Sequence, residues 1–294
     1  TYREQGRGGK GILASDSKDD DFIEHVFVAS THDDLLCFTD TGRVFKMKVY
    51  ELPEMSRTSK GRAMVNLLEL KPATEDKPAE RTCAYLAIKD FESGSHYLTF
   101  ASLGGIVKRT SLKDYTNVHK SGIIAVGLKE GDALYDVALT SGTDDLLLVT
   151  AEGSAIRFNE QDVRLMGRNA AGVKGITLAG QDDAPEPTVE GEVAGSFKRG
   201  GDEVVGLVQI PMTPDADGDL MTTDPSITLL TITENGYGKR TLVDEYRVQP
   251  ETGKMRSQSR GGKGRADIKT TARNGRSVTA LVVKDGDGVV VVSR

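Results

Sequence analysis

Tryptophan is absent from the 294 residues, and aromatic side chains of all kinds make up only 5%. A surface that grips protein partners through aromatic anchors is therefore poorly supplied. Cysteine is also scarce. Cys37 and Cys83 sit far apart and form no metal-spaced pair, which argues for a reduced, cytoplasmic protein. His25, His32, His96 and His119 are scattered without ligand spacing, so no metal site is expected. No apolar run approaches the ~18–20 residues of a membrane helix. The polar start Thr1-Tyr2-Arg3-Glu4-Gln5 lacks the apolar core of a secretion signal. Asp215 to Asp219 begins like a calcium loop, but its twelfth position is Ser226 rather than Glu. Gly6 to Lys10 is too short in its glycine spacing for a phosphate-cradling loop, and no Ser or Thr follows Lys10. Nothing marks a catalytic nucleophile.

Glycine, by contrast, is plentiful at 33 residues and spread without a collagen period, which points to many turns and short strands. The net charge of −6 argues at first against nucleic acid. Residues 181–224 carry eleven acids against Lys198 and Arg199, a net −9, which leaves +3 for the remainder. A basic stripe is compatible with that remainder, and it is the local field that DNA senses.

An internal repeat organises the chain. Four segments show an apolar strand, a turn with Gly, and a second strand carrying basic residues: Leu35 to Lys46, Tyr97 to Arg109, Leu146 to Arg157 and Leu229 to Arg240. Gly at the turn allows the positive φ that a tight hairpin demands. Each hairpin leads to a glycine loop with Lys or Arg: Arg57 to Arg62, His119 to Gly122, Arg168 to Gly175 and Gln258 to Arg265. A fifth copy, Gln5 to Gly11, opens the chain. Aligning Gly11, Gly61, Gly122, Gly175 and Gly264 gives intervals of 50, 61, 53 and 89, close to a propeller-blade period with extra material in the last. That excess falls in acidic surface insertions at about 181–200 and 212–225, with a strand at Val204 to Ile210 between them. Tyr50, Tyr115 and Tyr246 are expected as structural anchors at one repeat phase. Cys37 is expected in the core. The fold class is all-β, a propeller-like disc spanning 1–294 as one domain, with both ends cutting through a unit: Tyr2 stands without its hairpin, and Val289 to Arg294 begins one.

The opening heptad, Gln5-Gly6-Arg7-Gly8-Gly9-Lys10-Gly11, nearly matches the Gln-Arg-Arg-Gly-Gly-Lys-Gly box of the C-terminal domain of DNA gyrase A, departing at Gly6. Thr39 to Leu52, Asp145 to Gly175 and Asn235 to Tyr246 also resemble that family, and Gln258 to Gly264 is a near-second box. The resemblance implies a six-bladed β-pinwheel whose blades exchange strands, and whose basic rim bends double-stranded DNA. It further implies partnership with the rest of gyrase A and with gyrase B in a heterotetramer, an enzyme that uses ATP and Mg2+ to introduce negative supercoils. The cleavage tyrosine and the ATPase would then lie elsewhere, leaving this chain without cofactor or catalytic residue of its own.

Arg and Lys beside glycines bring charge and backbone N–H groups to phosphate oxygens. The expected DNA contacts are Arg7 and Lys10 first, then Arg43, Lys46, Lys60, Arg62, Lys108, Arg109, Lys120, Lys174, Lys239, Arg240, Arg260 and Lys263. Two other functions compete. The corresponding module of topoisomerase IV would select substrates without strong wrapping, and absence of the box would favour it. A propeller scaffold for proteins would show exposed apolar patches instead of a basic rim.

Overall fold

The structure is a computed structural model that describes residue 25 and residues 27–55, 62–75, 77–92, 94–180, 201–214, 218, 220–222, 224–248 and 256–289. Four hairpins anchor it: β1 (Asp34–Thr39) with β2 (Arg43–Lys48), β4 (Tyr97–Ser102) with β5 (Ile106–Ser111), β8 (Asp145–Thr150) with β9 (Ser154–Asn159), and β14 (Thr228–Thr233) with β15 (Gly238–Leu242). Gly42, Gly105, Gly153 and Gly236 turn them, all at positive φ. A hydroxyl three residues earlier braces the turn: Thr39, Ser102 and Thr150 accept from the N–H groups of Arg43, Ile106 and Ser154 at 3.1, 3.2 and 3.3 Å.

On one side of each hairpin lies a longer strand: β3 (Thr82–Ile88), β7 (Leu134–Thr140), β11 (Val204–Ile210) and β17 (Ser277–Val283). These four follow one another along the inside of the disc, β3 against β7, β7 against β11, and β11 against β17. The opposite, outer edge receives a two-residue strand from the next repeat. β6 (Ile123–Ile124) pairs with β2, β10 (Val173–Lys174) with β5, and β16 (Arg265–Ala266) with β9. After each such hairpin the chain thus steps back to complete its predecessor's sheet, then returns to the inside of its own. Three four-stranded sheets and one three-stranded sheet result, so the described residues make four blades of an all-β, propeller-like disc. No α-helix occurs among them.

Apolar side chains fill the seams between blades, which is why the hairpin strands are apolar on both faces. Leu36, Phe38, Leu98, Phe100 and Tyr115 are buried at the first seam, with Phe38 and Phe100 edge-on at 5.7 Å. Leu146, Leu148, Ile156, Phe158 and Ile176 fill the second, and Leu147, Val149, Ile210, Leu229 and Tyr246 the third. Each such side chain contributes about 1.5–3 kcal/mol on burial, so the seams dominate stability.

Cys37 is fully buried, as expected. Tyr115 and Tyr246 are buried, but Tyr50 is 62% exposed. Counted from the turn glycines, Tyr115 and Tyr246 fall ten residues on, whereas Tyr50 falls eight after Gly42, and Leu52 holds the anchor phase instead. The glycine alignment shifts similarly: Gly122, Gly172 and Gly264, not Gly175, precede the borrowed strands. Within the second acidic insertion, Met212–Pro214 (β12) and Leu220–Thr222 (β13) pair as a small ribbon rather than forming only loop. Residues 181–200 lie outside the described set.

Candidate nucleic-acid interface

The basic residues of the second hairpin strands divide by phase. Four residues after each turn glycine stands a cation: Lys46, Arg109, Arg157 and Arg240. The first three reach across a seam to the short 3₁₀ turn of the following blade. Lys46 Nζ donates to Thr116 O, Arg109 Nε to Val163 O at 3.1 Å, and Arg157 Nη1 to Val243 O at 2.9 Å. These residues act as latches between blades. Arg109 adds an ion pair with Glu160 at 3.5 Å and lies over the Tyr97 ring, and Arg157 adds Asp145 and Asp244 at 2.8 and 2.9 Å. Arg240 donates instead to Thr228 Oγ1 and pairs with Asp285, both at 2.9 Å.

Three further expected contacts are also engaged internally. Arg43 pairs with the buried Glu80 carboxylate at 2.7 Å and donates to Ser121 O. Glu80 also accepts from the hydroxyls of Thr39 and Thr41 and from Lys71 N. Burial pushes that carboxyl upward, but these bonds and the Arg43 charge outweigh it and hold it below the usual range. Lys239 donates to Asp267 O and lies 3.3 Å from its carboxylate. Lys108 is 1% exposed, its ammonium enclosed by backbone carbonyls. It points inward. The cause is positional: one residue before Arg109 on the strand, it faces the opposite side of the sheet, into the seam.

The glycine loops behave differently. Those at 119–122, 168–172 and 258–264 each follow a hairpin and lead into a borrowed strand, and successive ones hydrogen-bond to one another along the rim. Gly127 N donates to Ala170 O at 3.1 Å; Gly261 N to Gly175 O, and Thr177 N to Gly262 O at 2.9 Å. Arg260 ties the same two loops through Lys174 O at 2.9 Å while reaching Asp162 O, also at 2.9 Å. The closeness requires glycine: a Cβ on Gly127 would lie 2.6 Å from Asn169 O, and one on Gly172 2.4 Å from Val107 O. A continuous belt therefore runs from Lys120 to Lys263. Lys120, Lys174 and Lys263 are exposed on it, as is Arg62 further round. Arg164 and Arg265 are exposed there too, and Arg168 is half-buried. Those three were not singled out from the sequence, although Arg168 and Arg265 stand within the glycine loops. Arg7, Lys10 and Lys60, with the rest of the opening box from Gln5 to Gly11, lie outside the described residues.

Acids brace the hairpin tips. Asp132 accepts from Gly104 N, Asp202 from Glu152 N, and Glu234 from Arg276 N, each at 2.9 Å. Among the described residues no group of three acidic, histidine or cysteine side chains could hold a metal ion, and no helix is long and apolar enough to cross a membrane.

A family model described as the DNA gyrase C-terminal domain, beta-propeller, matches residues 1–30, 33–69, 96–141, 144–183 and 228–255. The chain belongs to the DNA gyrase C-terminal domain family. The A subunit of DNA gyrase from Staphylococcus epidermidis (strain ATCC 12228) is 41% identical over 293 residues, covering 100% of this chain and 28% of that protein. The A subunit from Salmonella typhimurium is 40% identical over 292 residues, covering 99% and 28%. The chain thus spans little more than a quarter of these relatives. A solved DNA gyrase A C-terminal domain superposes with a TM-score of 0.66 at 24% identity, covering 97% of this chain and 77% of that one. The C-terminal domain of a DNA topoisomerase IV gives 0.51 at 24% identity, covering 87% and 81%. At such identities these structures speak to the fold, which the gyrase and topoisomerase IV domains share. The first stretch matched by the gyrase C-terminal family model includes the near-box Gln5 to Gly11.

Proposed function

We propose that this chain is the DNA-wrapping domain of a gyrase A protein, bending duplex DNA around the belt of glycine loops. The belt is the observation that carries the reading. It offers Lys120, Lys174, Lys263 and Arg62 at the surface, supported by Arg164, Arg168, Arg260 and Arg265, together with backbone N–H groups beside glycines. Such contacts bind phosphates without reading bases. Bending 20–30 bp through 40–90° costs about 1–6 kcal/mol, more than one loop offsets, and a belt joins several loops on one rigid surface. Arg7 and Lys10 of the box belong to the proposed contact set, as does Lys60. The seam cations Arg43, Lys46, Lys108, Arg109 and Lys239 are assigned to holding the blades, and Arg240 to the outer edge of the fourth.

In this reading the partners are double-stranded DNA, the rest of gyrase A, and gyrase B, all in the cytoplasm. The holoenzyme's ATP and Mg2+ are used outside this chain, as is its cleavage tyrosine. The test is a topology assay. Nicked circular DNA is incubated with the chain, ligated and stripped of protein, and its linking number is read. A positive shift that grows with protein and vanishes for Arg7→Ala/Lys10→Ala supports chiral wrapping by a gyrase domain. Binding without a shift sinks wrapping in favour of topoisomerase IV-like substrate selection. No binding at low salt sinks both and favours a protein scaffold.

A further inference from the structure

Lys108 is fully buried, yet it touches the belt from beneath. Its Nζ donates to Ala125 O and Arg168 O at 2.6 Å each and reaches Gly167 O at 3.4 Å. Ala125 follows the borrowed strand β6; Gly167 and Arg168 open the next glycine loop. One ammonium thus joins two successive segments of the rim. The loop's other ties are backbone bonds: Met166 N donates to Arg109 O at 2.9 Å, and Gly127 N to Ala170 O. The side chain runs over the Phe100 ring, with Nζ 4.8 Å from its centroid. A cavity of about 10 Å³ adjoins it, bounded also by Lys129 and Asp132; a cavity of this size is at the threshold for one water.

We infer that Lys108 is a positioning residue, whose Nζ hydrogen bonds fix the loop from Gly167 to Gly172 at the height where the belt meets DNA. The inference rests on the DNA-binding reading above and gives Lys108 a task distinct from direct contact.

The equivalent residue two blades on, Lys239, has the Asp267 carboxylate at 3.3 Å. Lys108 meets only neutral carbonyls at hydrogen-bond distance. Burial accordingly pushes it down to about 7, reinforced by Arg168 from the loop and opposed by Asp114 from the Leu112–Tyr115 turn. Tyr115 does not supply charge: burial pushes its phenol well up, and its hydroxyl donates to the same Ala125 O at 2.9 Å. Loss of the proton leaves two N–H donors in place of three and removes the charge that strengthens each bond. Because an opened loop would return Lys108 to water and toward the ordinary lysine value, the lowered value in the closed loop outweighs those losses, and the loop should tighten as pH rises through neutrality.

Three measurements on the full 294-residue chain test this between pH 6 and 9: titration of the Lys108 ε-methylene by NMR, hydrogen-exchange protection of Met166 and Ala170 corrected for intrinsic rate, and affinity for a linear duplex. Protection of the loop is expected to rise with pH across the Lys108 titration, by up to about tenfold per pH unit above it, with a parallel severalfold gain of DNA affinity. Lys108→Met should lower the protection and abolish its dependence on pH, whereas Lys113→Met, which alters an exposed lysine paired with Glu92, should keep the wild-type profile. Flat loop protection while Lys108 titrates overturns the inference, and this comparison needs no variant to fold. A loop whose protection changes with no change in affinity overturns its link to binding. Wild-type chain that fails to bind DNA at any pH defeats the DNA reading itself, with loop protection still deciding what Lys108 positions.

Discussion

The Arg157 guanidinium lies 2.8 Å from the Asp145 carboxylate across the third hairpin, and both side chains are shut off from solvent. The same guanidinium reaches Val243 O and Asp244 in the next blade, so one buried cation closes a hairpin and a seam together. Removing it leaves Asp145 buried with the neutral donors Ser257 and Asn159. Breaking such a pair costs about 3–5 kcal/mol. Arg157→Met is expected to destabilise the chain by that amount in urea melts. A loss below about 1 kcal/mol would contradict the latch.

Turn glycines make a second prediction. Gly153 sits at φ +83°, and a Cβ there would lie 2.0 Å from Ile268 O of the succeeding repeat. The closeness exists because Gly153 O accepts the N–H groups of Asp267 and Ile268 at 2.8 and 3.2 Å. Gly153→Ala should destabilise by more than the ~1 kcal/mol of a left-handed alanine alone. Gly236, also at positive φ but with nothing within 4 Å, should lose only that smaller amount. Equal losses measured by denaturant melts would mean that the approach to Ile268 does not matter.

Glu80 sets a pH dependence. Its folded carboxyl is held below the ordinary value of 4.5, so the unfolded state binds more protons in the acid range. The stability it contributes is fully present above the unfolded value and is lost as pH falls through the folded one. Glu80→Gln should therefore be clearly less stable than wild type at pH 7, with the difference shrinking toward pH 3. A difference independent of pH would assign Glu80's effect to packing.

Cys37 should be inert. It is wholly enclosed in β1, and burial pushes its thiol up to about 12. Because the thiolate is the reactive form, alkylation at pH 8 should require unfolding. Labelling of the native chain at the rate of a free thiol would show that the first blade opens readily.

Rim charge can be separated from seam charge by salt. Lys120→Glu and Lys174→Glu should weaken DNA binding uniformly across sequences. The slope of log affinity on log salt should fall by about 1 for each phosphate no longer neutralised. Melting temperature should stay near wild type, because both side chains are exposed. A seam variant such as Arg109→Met should show the reverse order of effects.

The hairpins and their turns were legible because glycine and strand periodicity act within a dozen residues. Cys37 and the strand at Val204 to Ile210 were legible for the same reason. Phase errors arose where a short count decided: Tyr50 is two residues from the anchor position that Leu52 holds, and Gly175 is three beyond Gly172. The fate of each cation could not be read locally. Lys108 and Arg109 are adjacent, and both donate to acceptors 54 to 60 residues away, whereas Lys120 and Lys174 look much like them in sequence yet face solvent. Arg157 was hidden for the same reason, since Asp244 is 87 residues distant. The belt needed two loops from successive repeats to be placed side by side, which no single loop encodes.

Strand borrowing also governs how this disc carries force. A ligand bent around the rim pushes back elastically, and its recoil enters through the outermost strands. Each of β6, β10 and β16 is hydrogen-bonded to one blade but covalently continuous with the next. Tension on a rim loop is therefore divided at once between two neighbours, in shear along the ladder and along the backbone. A blade cannot peel away alone, and a single break in a connecting loop should leave the disc standing, because the severed ends remain clasped by different neighbours.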